Sequence, residues 1–168
     1  VMFMDEIKIT FGLLHPNVVQ TYDYGTHKGQ LYVAMEYCDG RNLKEYLDKL
    51  KERKFVFPVE ISVYIGTQIC QGLHYAHTLT DKLSGKEMNI IHRDIKPDNF
   101  MLKQKSNDII LIDYGLARPY IYDKKHIPIE WNLEIIGSNN YCSINMHKGI
   151  RPSRRDDIES LCYVWISL

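Results

Sequence analysis

The stretch "IIHRDIKPDNFML", residues 90–102, sets His92, Arg93, Asp94, Lys96 and Asn99 between two apolar steps, Ile90–Ile91 and Phe100–Leu102. Apolar steps of this length read as short strands, with the polar cluster on the loop between them. Loops held by rigid elements are where chemistry is usually displayed. A third apolar step, Ile109–Ile112, runs into "LIDYGLA", residues 111–117, and places Asp113 at its end.

The residue types point to one kind of reaction. A carboxylate such as Asp94 can accept the proton of a hydroxyl nucleophile. The Lys96 ammonium can neutralise charge that builds on a phosphoryl group. The Asn99 amide oxygen and the Asp113 carboxylate are hard ligands suited to Mg²⁺, which takes few protein groups and completes its shell with phosphates and water. A base, a cation and two metal ligands together make a phosphoryl-transfer site. A lone Asp–Lys pair on a loop is ordinarily a solvated ion pair, and a lone D-x-G is ordinarily a turn. Here the whole pattern H-R-D-x-x-x-x-N stands in order before D-Y-G, separated by a strand-sized segment.

Composition agrees with a globular domain. The chain has 168 residues, 45% hydrophobic and 25% charged, with 21 basic and 21 acidic side chains and no formal net charge. Nothing signals bulk binding to nucleic acid or to an acidic membrane. No apolar run is long enough to span a bilayer. Cys38, Cys70, Cys142 and Cys162 form no C-x-x-C pair. They read as reduced thiols of a cytoplasmic protein, with the nucleus as the secondary location, rather than as a disulfide framework or zinc site.

Along the chain, residues 2–14 read as a helix stopped by Pro16. "VVQTYDYGTHKGQLYVAMEY" reads as two strands around a glycine-containing turn. Residues 42–51 read as a short charged helix. Pro58 opens a long one over 58–79, with Ile61, Ile65, Ile69, Leu73 and Ala76 at helical spacing. Residues 114–152 show no sustained period and are expected to be largely irregular. A helix resumes near Asp156. There are no internal repeats.

With those motifs in view, the chain resembles the eukaryotic-type protein kinases. "HRDIKPDN" resembles their catalytic loop and "DYG" their metal-binding loop. "DEIKITFGLLHPNVV" resembles the C-helix and the turn after it, and "LYVAMEYCDG" the fifth strand and hinge. The later part, "GSNNYCSINMHKGIRPSRRDDIESLCYV", is more specific. "SIN" in place of A-P-E, "H-K-G-I" and "SRRDD-E-SL" resemble the casein kinase 1 superfamily, which includes the vaccinia-related kinases. Tyr114, in place of the usual Phe, resembles the vaccinia-related branch. The loop "TDKLSGKEMN" is similar to that of bacterial-type Ser/Thr kinases.

The resemblance implies an α+β, protein-kinase-like fold that is partial. Residues 1–37 would be the end of the small N-lobe (C-helix, strand hairpin and start of the hinge). Residues 38–168 would be the mainly helical C-lobe, cut within its central helix. It implies Asp94 as catalytic base, Lys96 on the transferred phosphate, and Asn99 and Asp113 on Mg²⁺. Glu6 would stand where the partner of the ATP-binding lysine stands. Met35 would be the gatekeeper, the backbones of Glu36 and Cys38 would meet adenine, and Met101 and Ile112 would floor the pocket. His92 would support the metal loop, Ser138 would touch the base, and Asp157 would pin the catalytic-loop backbone. Protein substrates and ATP with Mg²⁺ follow from the same resemblance, and a lysine at position 96 is similar to Ser/Thr-specific kinases.

Arg93 stands where many kinases receive an activating phosphate, yet residues 116–136 contain no Ser or Thr. The expected kinase therefore needs no Ser/Thr phosphorylation there. Lys148, Arg151, Arg154 and Arg155 suggest acidic substrates, although Asn140 replaces the arginine that the family usually carries before the Tyr. None of the ten glycines forms a G-x-G-x-x-G loop. The chain as written is therefore expected to be inactive alone. The alternative is a pseudokinase or non-catalytic scaffold.

Overall fold

The computed structural model describes residues 11–80, 85 and 87–168. The helix expected over residues 2–14, and Glu6 with it, falls mostly outside these residues.

Strands β1 (Thr21–His27) and β2 (Gln30–Met35) form an antiparallel hairpin. Lys28 and Gly29 make its turn at φ 50° and 80°, the pair of positive angles that matches the twist of a two-residue hairpin. Strand β3 (Gly40–Asn42) then leads into helix α1 (Leu43–Glu52). Asn42 caps that helix: its side chain accepts from the Glu45 amide at 2.9 Å while Glu45 reaches back to the Asn42 amide, a reciprocal capping box.

Helix α2 (Val59–His77) begins after Pro58. Ile65, Ile69, Leu73 and Ala76 are buried, as their spacing predicts, whereas Ile61 is 43% exposed on the first turn. Strand β5 (Phe100–Lys103) lies between β3 and β6 (Ile109–Leu111) in an antiparallel sheet. Gly40 is required in this sheet: an added Cβ would fall 1.8 Å from the Leu102 carbonyl oxygen.

Strand β4 (Ile90–Ile91) pairs with β7 (Arg118–Pro119), and β8 (Ile121–Tyr122) with β9 (Lys125–His126). The segment expected to be irregular thus contains these short strands, a 3₁₀ turn at Tyr114–Leu116 and the single-turn helix α3 (Ile144–His147). Elements this short leave no periodic signal. Helix α4 (Arg154–Ile166) starts slightly before Asp156. Its Asp156 carboxylate accepts from the Ser153 amide at 2.7 Å, from Ser143 Oγ at 2.6 Å and from Asn145 at 3.3 Å. This ties the "SIN" segment to the helix start.

Leu13, Val18, Leu43, Leu73, Ile90, Phe100, Ile109–Leu111 and Leu161 belong to one buried cluster. Among the described residues no helix is long and apolar enough to cross a membrane.

Candidate active site

Asp94 lies on the loop between β4 and the 3₁₀ turn Pro97–Asn99, and only 7% of it is exposed. Each side of its carboxylate is occupied. Ser138 Oγ donates to Oδ1 at 3.0 Å, and Lys96 Nζ lies 2.7 Å from Oδ2. Asn99 Nδ2 donates to the Asp94 carbonyl at 2.8 Å and to Oδ2 at 3.2 Å. Burial alone would push the Asp94 carboxyl up. The bonds from Lys96 and Ser138, the Lys96 charge and the Asn99 bond outweigh it and hold the carboxyl below its ordinary range. Lys96 is held above its usual value: burial opposes the shift, but the bond to Asp94 and its charge prevail. Both groups therefore stand charged at neutral pH, and the carboxylate can receive a proton from a hydroxyl placed beside it.

The loop backbone is fixed from beneath. Asp157, 2% exposed on the first turn of α4, accepts the Arg93 amide on Oδ1 and the His92 amide on Oδ2, each at 2.8 Å. His77, at the end of α2, also meets Oδ2 at 2.8 Å. Arg93 has φ +71° and donates from Nε to the Leu116 carbonyl at 2.5 Å. This joins the Asp94 loop to the turn after Asp113.

His92 is fully enclosed. Its Nε2 lies 3.1 Å from the Ile112 carbonyl, and its Nδ1 accepts the Asp94 amide at 3.3 Å. That is the pattern of a neutral ring protonated on Nε2, and burial holds its pKa down. The ring packs edge-on against Tyr114, centroids 4.7 Å apart. Asp113 itself sits at φ +63°, exposed at the end of β6, where Oδ1 accepts the Gly115 amide at 3.3 Å.

Asn99 and Asp113 offer one amide oxygen and one carboxylate. Among the described residues no group of three His, Cys, Asp or Glu could hold a metal by itself. A pair of hard oxygens fits an ion such as Mg²⁺ that completes its octahedron with water and phosphate. A cavity of about 460 Å³ opens beside Asp94, lined by Lys44, Lys96, Asp98 and Gly137–Tyr141.

The expected nucleotide-side residues are arranged as follows. The Glu36 amide donates to the Gln20 carbonyl at 2.8 Å, and its carboxylate pairs with Lys103 on β5. Gln104 donates to the Asp39 carbonyl at 2.9 Å, so the segment after β2 runs beside the end of β5. Cys38, Met101 and Ile112 are partly buried against the core, while Met35 is 51% exposed.

Several contributors are not apparent from local sequence. Gly137 stands at φ +86°, and an added Cβ would lie 2.6 Å from the Arg93 carbonyl and 3.3 Å from Asp94 Oδ1. Only the G–S adjacency before Ser138 hints at it. His77 and Lys103 carry no motif. Asp156 could have been found from the S-x-x-D spacing of a capping box.

Residues 2–167 match the family model described as Protein kinase domain, and the chain belongs to that family. The family consists of phosphotransferases that act on proteins, and the mixed helix-and-strand content is that of its fold.

Proposed function

We propose that this chain is the catalytic portion of a Ser/Thr protein kinase of the casein kinase 1 type. It would transfer the γ-phosphoryl group of ATP to protein hydroxyls. The observation that carries this reading is the convergence of Lys96, Asn99 and Ser138 on the single carboxylate of Asp94. Asp94 is the base, Ser138 orients both the base and the incoming hydroxyl, and Lys96 faces the transferred phosphate. Asn99 and Asp113 are the side chains that would hold Mg²⁺, which neutralises charge on the phosphates when bound. The hairpin β1–β2 belongs to the small lobe, and the rest of the described chain to the large one. Met35, Glu36, Cys38, Met101 and Ile112 line the adenine side.

No Ser or Thr lies in residues 116–136, so the proposed kinase works without a phosphate on either residue type there. A phosphosite map with an essential phosphoserine or phosphothreonine in that segment would overturn this. Support for acidic substrates is thinner than the sequence suggests. Arg151 pairs with Glu130, Arg154 lies over the Tyr120 ring at 4.7 Å, and Arg155 is 3.6 Å from Asp156. Of the four cations, Lys148 is the one without an ion pair or ring contact among the described residues.

The test is transfer of labelled γ-phosphate to casein by the product of the full reading frame, with Asp113→Ala as blank. Phosphoserine or phosphothreonine that vanishes in the variant is expected. Phosphotyrosine alone would overturn the specificity, and label that persists in the variant would overturn the role of Asp113.

A further inference from the structure

Helices α2 and α4 run antiparallel and are fastened to each other near both ends. At one end the Trp165 indole donates to the Ser62 carbonyl at 3.0 Å. The indole lies so close to Gly66 that a Cβ there would sit 3.1 Å from the ring. At the other end His77 on α2 meets Asp157 on α4 at 2.8 Å. Cys70 is one turn beyond Gly66, and Cys162 is three residues before Trp165. On a helix, positions three and four apart share a face. Each thiol is therefore on the stripe that makes the contact. Because the helices run in opposite directions, the step from Gly66 to Cys70 and the step from Trp165 to Cys162 lead the same way along the interface. This spacing places the two cysteines on opposite helices at the same level, one turn in from the Gly66–Trp165 contact.

Two further features agree. Both cysteines are exposed, so a small oxidant reaches them. The Cys70 thiol is raised above its ordinary pKa, first by burial and then by Cys162; this marks the two sulfurs as neighbours and slows, rather than favours, attack by Cys70.

We propose that Cys70 and Cys162 form a paired oxidation site that a hydroperoxide closes to a disulfide, joining α2 to α4. One thiolate attacks an oxygen of hydrogen peroxide and becomes a sulfenic acid; the O–O bond breaks, and the departing hydroxide takes up the proton that the thiol gave up and leaves as water. The second thiolate displaces the sulfenic hydroxyl as a second water and forms the S–S bond. Two electrons pass from the sulfurs to the peroxide. The bond encloses residues 71–161, the Asp94 site included, and links α4, which carries Asp157, to α2, whose His77 meets that carboxylate. This site is independent of the kinase reading, since its readout needs no phosphotransfer.

The reduced protein would be treated with hydrogen peroxide, quenched with N-ethylmaleimide, digested without reductant and mapped by mass spectrometry. A peptide pair linking Cys70 to Cys162 is expected, two hydrogens lighter than its reduced halves. It should be reversed by dithiothreitol and lost in Cys70→Ser and Cys162→Ser. Thermal unfolding should move up by a few degrees on oxidation in the unsubstituted protein alone. Recovery of both cysteines alkylated, over-oxidised or joined to other partners would overturn the proposal. Dibromobimane, which bridges only neighbouring thiols, gives a second reading on the reduced protein. Failure to bridge this pair in the folded protein would also overturn it.

Discussion

The Arg93 amide donates to Asp157 Oδ1 at 2.8 Å across 64 residues of chain. Arg93 is held at φ +71°, a region that costs a non-glycine residue about 1–3 kcal/mol. A buried carboxylate that takes the His92 amide and the His77 ring on its other oxygen holds the loop in that conformation. In Asp157→Asn an NH₂ group faces N–H donors, and one buried donor loses its acceptor. The variant should lose about 3 kcal/mol, measured by urea unfolding, and phosphotransfer should fall with it. A denaturation midpoint equal to that of the unsubstituted protein would show that the carboxylate does not hold the loop.

Gly137→Ala should damage the same place from above. The added Cβ meets the Arg93 carbonyl at 2.6 Å, and φ +86° is already unfavourable for alanine. A loss of about 1–3 kcal/mol is expected, with at least a tenfold fall in kcat as Ser138 is displaced. Circular dichroism should still report a folded chain. Unchanged kcat would mean that the loop can give way without moving Ser138.

Removing the hydroxyl alone separates chemistry from folding. Ser138→Ala deletes one bond to Asp94, worth about 1 kcal/mol in stability. It also removes one of the bonds that hold the Asp94 carboxyl down. The acid limb of the pH–kcat profile should move to higher pH, with kcat lowered, and Ser138→Thr should restore both. An acid limb that stays in place would argue against a bond between Ser138 and Asp94 during turnover.

What the sequence makes legible is what is local. The spacing of Ile65, Ile69, Leu73 and Ala76 gives α2 because one face of a helix repeats at that period. Asp94, Lys96 and Asn99 are close in sequence, so a single loop must bring them together. Ser138 and Asp157 were legible only through resemblance, since nothing in their neighbours requires them to reach residues 92–94. Gly137 and His77 act by tertiary approach alone. The first matters because of the Arg93 carbonyl and the second because of the Asp157 carboxylate, and neither contact leaves a pattern in sequence.

Tyr114 carries a cost that can be measured. The residue is 3% exposed, and its hydroxyl is the buried side-chain atom without a hydrogen-bond partner among the described residues. Burial, with the charge of Asp157, raises its pKa well above the ordinary value, so it stays neutral. Tyr114→Phe keeps the ring packed on His92 and removes the orphan hydroxyl. It should stabilise the fold by about 1–2 kcal/mol, read as a higher urea midpoint. A loss of stability instead would reveal that the hydroxyl has a partner.

His92 sets the response to acid. Burial holds its pKa below 6.5 against the opposing pull of the Asp157 charge, the Ile112 hydrogen bond and the Asp94 and Asp113 charges. As the pH falls below 6.5, the unfolded chain takes up a proton that the folded ring refuses. Stability from this residue is therefore complete above that pH and declines beneath it. Protonation would also turn Nδ1 into a donor facing the Asp94 amide, which now donates to it at 3.3 Å. The urea midpoint should fall between about pH 7 and pH 5.5, with proton uptake on unfolding. In His92→Gln the overall stability should be lower, but the slope over that range should be shallower by the share of one histidine. An identical slope in the two proteins would place the acid sensitivity elsewhere.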